Sequence, residues 1–506
     1  MPTNSHRNLA SACLVSFIAL LLCTVPCAVR AAAQTDPVPA DIVGAWKGNL
    51  GHDNAVLHLT LSVVKKSSGE YSAMFDSVDQ GSQIPASGVT FSGNRFHMEV
   101  KAIGGVYEGT LSEDHNSLNG TWTQEGSPAQ PLVMQRDTAA QSGRAATPDG
   151  PKEKPFIVPL DVSVPVAPRA FQANKKTHLV YELHAVNMGK WDVEMRKIEV
   201  FSADSSARSL ATLSGAALDG DIAHPGVSVT DAAKIPGGTE AVIYVWITLD
   251  KPGDVPVALV HRFTVKLGTY PEELSVDMKP SVVGTNASVK IQSPLHGDHW
   301  LAGNGPSNTS GHRRALIPID ARAAISQRFA IDWVRLGDDG ATFHGDKLDN
   351  KNYYAFGVEA YAVADGVVTE TKDGIPQNIP GEHSRAVPIT LETVGGNHVI
   401  IDIGGGNFAF YAHLQPGSLR VKLGDKVRTG QVIGLVGNTG NSTEPHLHFH
   451  ISNATSPLGS EGLPYTLSSF TVQGSGWKWK PADGVAPVER TSEIPLENDV
   501  VKFSEK

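Results

Sequence analysis

Cysteine is nearly absent from this 506-residue chain. Its three copies, Cys13, Cys23 and Cys27, all lie within the first 33 residues. From Gln34 onward the chain can form no disulfide, has no thiol nucleophile and offers no cysteine ligand for zinc. The folded part must therefore be stabilised by hydrophobic cores, and any metal ion must be held by histidine or carboxylate groups.

Charge is also sparse, and it is slightly acidic. Charged residues make up 19% of the chain and the formal net charge is −10. Without a basic surplus, we expect no nucleic-acid partner. A hydrophobic content of 41% is ordinary for folded protein. The length predicts about three domains, and the 50 glycines and 32 prolines predict many turns and hence a mainly β fold.

The first residues have the pattern of an export signal. Arg7 is followed by an uncharged apolar run over residues 9–29, and the alanines at 31–33 offer a cleavage site before Gln34. We predict a signal peptide over residues 1–33 and a mature protein in the periplasm or outside the cell, with no stable membrane span after cleavage. The alternative is an uncleaved membrane anchor, for which the apolar run is long enough.

A first β-rich region follows the signal. Leu57, Leu59 and Leu61 alternate with polar residues, which places them on one face of a strand. Turn-forming residues separate several such runs, so we predict a small antiparallel, β-barrel-like domain over residues 41–136. Residues 137–155 lack apolar periodicity and predict a linker.

Two further domains are predicted downstream. Leu179 and Leu183 belong to one of several short alternating runs, and residues 156–266 have the length and pattern of an immunoglobulin-like β-sandwich. A third β-rich domain is predicted over residues 293–473. We expect the polar residues 480–506 to form a loosely ordered tail.

A cluster of polar residues in the third domain can carry chemistry. Asp332 and His413 lie in strand-like runs, while His446, His448 and His450 alternate along another, so those three project to one side. Imidazole and carboxylate suit Zn²⁺, and a catalytic zinc keeps one position open. Buried histidines without a function would need many hydrogen-bond partners. The pattern therefore predicts a functional site.

Residues 328–451 resemble the lysostaphin-type, or LytM-like, zinc metallopeptidases. The match includes the His-x-His pair of His446 and His448, the Gly-Asp-x-Val-x-x-Gly-Gln hairpin at 424–434 and the Ala-Asp-Gly-Val-Val turn at 364–368. The resemblance implies an antiparallel β-sheet or hybrid-barrel fold for this domain. It also implies a metalloendopeptidase that hydrolyses peptide bonds in peptidoglycan cross-links.

The family's site residues are carried over by motif. The resemblance implies that Asp332 and His448 bind one zinc ion, that His446 is the general base and that His413 stabilises the developing oxyanion. The two N-terminal domains would either position such an enzyme on the cell wall or fold back on it as a regulator.

One family ligand is missing. The family has a histidine four residues before the aspartate, and here that position is Arg328. Arginine stays protonated and has no lone pair for a metal ion. Either another histidine supplies the ligand, or the domain is a degenerate, non-hydrolytic module that binds peptidoglycan or activates a partner hydrolase. The candidate substitutes are His450, His312, His344, His383 and His398, of which the last could instead form hydrogen bonds within its own sheet.

Overall fold

The structure, a computed structural model, describes residues 41–51, 57–66, 68–77, 82–124, 128–137, 155, 157–381, 385–481 and 486–504. The predicted signal peptide and nearly all of the predicted linker lie outside these residues. The described part is built almost entirely of strands, with two short α-helices and 3-10 turns at Lys101–Ile103, Pro252–Asp254 and Asn350–Asn352. The prediction of a mainly β fold is confirmed.

The first nine strands form one antiparallel sheet, which we call the N-terminal barrel. The sheet order is β4-β3-β2-β1-β9-β8-β7-β6-β5, and β3 also contacts β5, so the sheet curls towards closure. Trp46, Tyr107 and Trp122 are buried inside it, and Gly105 lacks a Cβ where one would meet the Trp122 ring at 2.3 Å. The strands are β1 (Gly44–Leu50), β2 (Leu57–Lys65), β3 (Tyr71–Ser77), β4 (Ser82–Pro85), β5 (Gly88–Ser92), β6 (Arg95–Val100), β7 (Gly105–Leu111), β8 (Ser117–Gln124) and β9 (Gln130–Arg136).

The next eleven strands form two sheets around a shared apolar core, which we call the sandwich. One sheet has the order β10-β12-β17-β15 with β11 on β12, and the other has β14-β13-β18-β19 with β16 on β13 and β20 on β18. The elements are β10 (Leu160–Ser163), β11 (Ala170–Ala173), β12 (Lys176–Asn187), β13 (Val193–Ser202), β14 (Ser205–Ser214), α1 (Gly215–Gly220), β15 (Ile222–Ala223), β16 (Lys234–Ile235), β17 (Glu240–Leu249), β18 (Ala258–Leu267), β19 (Leu274–Asp277) and β20 (Ser281–Val282). The predicted end at residue 266 is too early, because β19 and β20 continue the second sheet to Val282.

The remaining strands build an eleven-stranded sheet, the C-terminal sheet, and two small hairpin-like sheets. The large sheet has the order β21-β33-β35-β22-β25-β32-β29-β28-β27-β30, with β34 on β33, while β23 pairs with β24 and β26 with β31. The elements are β21 (Val289–Ile291), β22 (Gly297–Gly303), α2 (Gly311–Arg314), β23 (Ile317–Ile319), β24 (Arg322–Ala324), β25 (Ile331–Arg335), β26 (Glu359–Tyr361), β27 (Gly366–Lys372), β28 (Asn397–Asp402), β29 (Phe408–Leu414), β30 (Lys426–Val427), β31 (Val432–Leu435), β32 (Leu447–Ser452), β33 (Tyr465–Ser475), β34 (Val488–Glu493) and β35 (Asp499–Phe503).

The end of the chain is part of this sheet. The prediction of a loosely ordered tail is wrong for its described residues, because β35 lies between β33 and β22 inside the sheet. Val500, Val501 and Phe503 are fully buried. The polar composition of the flanking residues hid this short strand, although Val500 and Val501 are covered on opposite faces of the sheet, each within a different apolar cluster. The tail therefore supports β22, the strand beside the predicted site.

The sandwich and the C-terminal sheet share a core. Phe171 of β11 packs edge-on against Phe329, with ring centroids 5.3 Å apart. Residues 39–506 form one compact unit. Within the described residues, no helix has the length and hydropathy needed to cross a membrane.

Candidate metal centre

The central strands of the C-terminal sheet bring the predicted site residues together. β25 pairs with β32 so that Asp332 lies directly opposite His448. β32 also pairs with β29, which carries His413, and His446 immediately precedes β32. Directly opposed side chains on one sheet face have Cβ atoms about 5 Å apart. Strand register thus gathers all four residues that the resemblance singled out.

The short helix α2 adds a fifth group, His312. Its Nδ1 donates to the carbonyl oxygen of Asn304 at 3.0 Å, because a carbonyl can only accept. Nε2 then keeps its lone pair, and it lies 3.4 Å from Oδ2 of Asp332. Nδ1 of His448 lies 2.9 Å from Oδ1 of the same carboxylate. One donor atom from each of His312, Asp332 and His448 lies within 4.8 Å of the others.

This donor set fits a zinc ion. Tetrahedral zinc with bonds of about 2.0–2.1 Å places its ligand atoms roughly 3.3–3.4 Å apart. The separations of 2.9 and 3.4 Å from Asp332 to His448 and His312 are close to that edge length. Two imidazoles and one carboxylate leave the fourth position open, as in catalytic zinc sites. Asn304 donates its side-chain amide to Oδ2 of Asp332 at 2.9 Å and so helps to orient the carboxylate.

His450 supports the cluster from behind. Its Nδ1 lies 3.0 Å from Nε2 of His448. A proton on Nε2 of His448, shared with Nδ1 of His450, leaves Nδ1 of His448 free to face Asp332. Ring partners of this kind orient metal-binding histidines. Among the substitutes considered from the sequence, His450 is therefore a partner of a ligand rather than the missing ligand.

His413 and His446 face each other beside the three donors, with ring centroids 4.8 Å apart. Nδ1 of His413 donates to the carbonyl oxygen of Thr439 at 2.7 Å, and Nδ1 of His446 donates to that of Glu444 at 2.8 Å. Both Nε2 atoms are thus left for chemistry, and that of His446 lies 3.4 Å from Asp332. His413 also has φ of +65°, a left-handed conformation that is uncommon outside glycine and often marks functional sites.

Burial and neighbouring groups oppose one another in setting the pKa values here. Burial acts to raise the pKa of Asp332, but His312 and His446 outweigh it and hold that pKa well below its usual range. Burial lowers the pKa of His312 to about 4 and the pKa of His413 well below its ordinary value. Burial also acts to lower the pKa of His446, but the neighbouring Asp332 carboxylate outweighs burial, so the pKa of His446 is raised. An anionic Asp332 beside a neutral His312 is the state that metal binding requires.

The other candidate substitutes lie elsewhere or are not described. His398 has both ring nitrogens engaged within its own sheet, Nδ1 with the Gly396 carbonyl oxygen at 2.9 Å and Nε2 with Glu370 at 3.2 Å. His344 is an exposed residue that packs edge-on against Tyr354. His383 lies outside the described residues.

Arg328 forms a buried ion-pair network that links the C-terminal sheet to the sandwich. Its Nη2 lies 2.9 Å from Glu182 of β12 and 3.0 Å from Glu461, and its Nη1 donates to the carbonyl oxygen of Gly462 at 3.2 Å. The two carboxylates compensate its charge. Among the described histidines considered as substitutes for the missing ligand, His312 has a ring nitrogen 3.4 Å from Asp332.

The site opens into a cavity that the N-terminal barrel helps to enclose. The cavity measures about 510 Å³ and is lined by His312, Asp332 and His446 on one side and by Leu59, Phe75 and Trp122 on the other. Strand β4 of the barrel also contacts α2. The side chains of Asp332, His446 and His448 are only 14%, 9% and 6% exposed. The barrel thus covers the site.

Two residues beside the proposed metal centre were not predicted from the sequence. Asn304 was not considered, although it binds Asp332 and has a left-handed φ of +47°. The sequence also gave no reason to single out Ser442, whose hydroxyl lies 3.3 Å from Nδ1 of His446. A Gly-Asn-Gly sequence at 303–305 indicates a turn, but nothing in it indicates which strand end the turn faces.

Known proteins resemble the same segment. Residues 353–459 match the model of Peptidase family M23. The chain is 38% identical over 169 residues to the peptidoglycan DD-endopeptidase ShyA of Vibrio cholerae, a match that covers 33% of each chain. It is 37% identical over 85 residues to lysostaphin of Staphylococcus simulans, covering 16% of this chain and 17% of lysostaphin. With the glycyl-glycine endopeptidase ALE-1 of Staphylococcus capitis it shares 46% identity over 78 residues, covering 15% of this chain and 21% of that protein.

The chain matches one third or less of the length of each of these relatives. Its C-terminal part contains a lysostaphin-type peptidase domain of family M23, as its motifs predicted. The matched range includes His413, His446 and His448 but begins after His312 and Asp332. The match therefore gives no information on His312 or Asp332, and their placement beside His448 rests on the geometry of this chain.

Proposed function

We propose that this protein is an exported zinc endopeptidase that hydrolyses peptide bonds in peptidoglycan cross-links of the bacterial cell envelope. One observation carries the proposal: His312 places a lone pair 3.4 Å from Asp332, on the cluster that also holds His448. A lost ligand was the argument for a degenerate module, and the position of His312 supports the hydrolytic enzyme instead. Two of the relatives named above, ShyA and ALE-1, are a peptidoglycan and a glycyl-glycine endopeptidase by their names, which supports the substrate class.

The residues of the cavity have distinct parts in the proposed hydrolysis. His312, Asp332 and His448 would hold one zinc ion, which when bound polarises a carbonyl group and acidifies water. His446 is the general base, because its Nε2 faces the donor cluster while Nδ1 is fixed by the Glu444 carbonyl. His413, facing it across 4.8 Å, stabilises charge on the carbonyl oxygen under attack.

Of the two parts considered for the N-terminal domains, the position of the barrel favours regulation. Its apolar residues line the same cavity as the catalytic groups, and β4 contacts the helix that carries His312. A cross-linked polymer has to reach these groups to be cut. We therefore propose that displacement of the barrel precedes cleavage of peptidoglycan.

The proposal is tested on purified full-length protein and purified peptidoglycan. Zinc is counted per chain by mass spectrometry, and cleavage is followed by the appearance of new amino groups and released peptides. We expect about one zinc per chain, as for a mononuclear catalytic site, and zinc-dependent release that stops on chelation and in His448→Ala. Binding to peptidoglycan without any release of peptides, both in the unmodified protein and in a variant with a loosened barrel such as Ile84→Asp, would instead identify the degenerate module.

A further inference from the structure

The helix that supplies the replacement ligand is too short to hold its own position. α2 has four residues, whereas isolated helices are marginal even at about 12–15 residues. Its two arginines reach into the sandwich. Arg313 donates from Nη2 to the carbonyl oxygens of Tyr181 and Val245, both at 3.0 Å, and Arg314 donates to that of Gly220 at 2.6 Å. The place of the adjacent His312 thus depends on the sandwich.

One buried carboxylate joins this anchor to the arginine that replaced the family histidine. Glu182 of β12 accepts from Nε of Arg313 at 3.2 Å through Oε1 and from Nε of Arg328 at 3.0 Å through Oε2. Glu182 and Arg328 are only 4% and 5% exposed, and Arg313 is fully buried. Charge-assisted hydrogen bonds in such surroundings are strong and directional.

Glu461 provides an internal comparison. It is similarly buried and lies 3.0 Å from Nη2 of Arg328. Its hydrogen bonds within the described residues include none to α2. Glu182 and Glu461 therefore share the partner Arg328, and they differ in whether they also hold the helix of His312.

We propose that Glu182, on a strand of the sandwich, is a positioning residue for the metal centre: through Arg313 it fixes α2 so that His312 faces Asp332 and His448. The proposal rests on the proposed function, since it assigns the geometry of that same centre. The sandwich is then a structural part of the metal site. Its Glu182 aligns His312, whereas Asp332 and His448 lie on strands of the C-terminal sheet.

The test compares Glu182→Gln with Glu461→Gln in the full-length chain. Both changes remove one buried charge and keep the side-chain size. Affinity for zinc is measured by competition with a chelator, and cobalt(II) is bound in place of zinc so that its visible absorption spectrum reports the ligand geometry. Thermal unfolding of the metal-free proteins measures the purely structural cost of each change.

We expect Glu182→Gln to weaken zinc binding by about 10- to 100-fold, the usual effect of losing a group that orients a ligand, and to alter the cobalt spectrum. Glu461→Gln should lower the unfolding temperature similarly while leaving both the affinity and the spectrum near those of the unmodified protein. If Glu182→Gln does not fold, Arg313→Lys replaces it, because lysine keeps the charge and lacks the Nε donor that binds Glu182. It should show the same weakened affinity and altered spectrum.

Three other results would contradict this expectation, and each would identify a different error. Unchanged zinc affinity in Glu182→Gln, or in Arg313→Lys if that replaces it, overturns the positioning proposal alone. Equal effects of Glu182→Gln and Glu461→Gln also overturn it, because they would reflect only the stability of the domain contact. An unmodified protein that binds no zinc overturns the metal centre itself, and with it both the proposed function and this inference.

Discussion

Nε2 of His312 lies 3.4 Å from Oδ2 of Asp332, although the β23–β24 hairpin separates the two residues in sequence. In the family pattern the histidine ligand lies four residues before the aspartate. Here the imidazole of His312 belongs to the separate helix α2, and position 328 carries an arginine that binds Glu182 of the sandwich. We propose that the type of ligand is kept while the element that provides it has changed.

Removing this imidazole should empty the site. His312→Ala leaves only Asp332 and His448 as protein ligands, which is too few for tight binding of zinc. We expect the zinc content to fall from about one per chain to near zero, measured by mass spectrometry after dialysis. His344→Ala, which removes an exposed histidine, is the matched control and should keep its zinc. Full zinc occupancy in His312→Ala would show that another residue is the third ligand.

Restoring the family residue at position 328 should not restore a ligand. Since Arg328 compensates Glu182 and Glu461, Arg328→His leaves two buried carboxylates without their main partner. Breaking a buried ion pair in this way typically costs about 3–5 kcal/mol. Denaturant unfolding should register that loss, with no gain in zinc affinity. Tighter zinc binding in the variant would mean that the new histidine reaches the metal.

Variants of the two proposed catalytic histidines should distinguish zinc binding from peptide hydrolysis. His446→Ala and His413→Ala leave all three proposed ligands in place, so both variants should retain zinc. Each should cleave peptidoglycan roughly 100- to 10,000-fold more slowly, the usual effect of losing a general acid or base. Parallel assays of zinc content and peptide release measure the two properties. Loss of zinc in either variant would make that residue a ligand instead.

A buried histidine in the sandwich should make the fold sensitive to acid. His261 is fully buried with Nε2 2.7 Å from the Tyr181 hydroxyl, and burial lowers its pKa from 6.5 to about 4. Because the folded pKa is lower than the unfolded one, its contribution to stability is complete above pH 6.5 and is lost as the pH falls towards 4. One pKa unit corresponds to about 1.4 kcal/mol, so the loss should be about 3 kcal/mol.

Denaturant unfolding at several pH values checks this contribution. His261→Gln keeps a hydrogen-bonding group for Tyr181 but cannot titrate. Its free energy of unfolding should therefore depend less steeply on pH between about 6.5 and 4 than that of the unmodified protein. Identical slopes for the two proteins would show that the pKa of His261 is the same in the folded and unfolded states, so that its burial contributes no pH dependence.

Loosening the barrel should increase access to the site. Ile84 on β4 is buried and lines the shared cavity, so Ile84→Asp places a charge in the contact between the barrel and the C-terminal part. We expect kcat/KM for peptidoglycan to rise severalfold, because the population with an uncovered site increases. Val133→Asp changes an exposed residue of the same barrel and should leave the rate unchanged. A lower rate in Ile84→Asp would mean that the barrel assists cleavage.

Alternation and motifs predicted the fold class and the sheet face that carries the site. His448 lies on β32 and His446 immediately precedes that strand, so their two-residue spacing was enough to place them together. The position of α2 was not predictable, because it is fixed by Arg313 and Arg314 contacting a domain whose placement no local pattern encodes. His312 was accordingly only one of five candidates. The buried strand β35 was missed because a strand of five residues within polar sequence carries a weak signal.

The account's central claim is a zinc site built from His312, Asp332 and His448. The most direct measurement is anomalous X-ray diffraction from a crystal of the zinc-loaded protein, recorded at the zinc absorption edge. We predict one peak about 2.0–2.2 Å from Nε2 of His312, a carboxylate oxygen of Asp332 and Nδ1 of His448, with the fourth position turned towards the cavity. A peak bound by a different set of residues, or no peak at this site, would contradict the account.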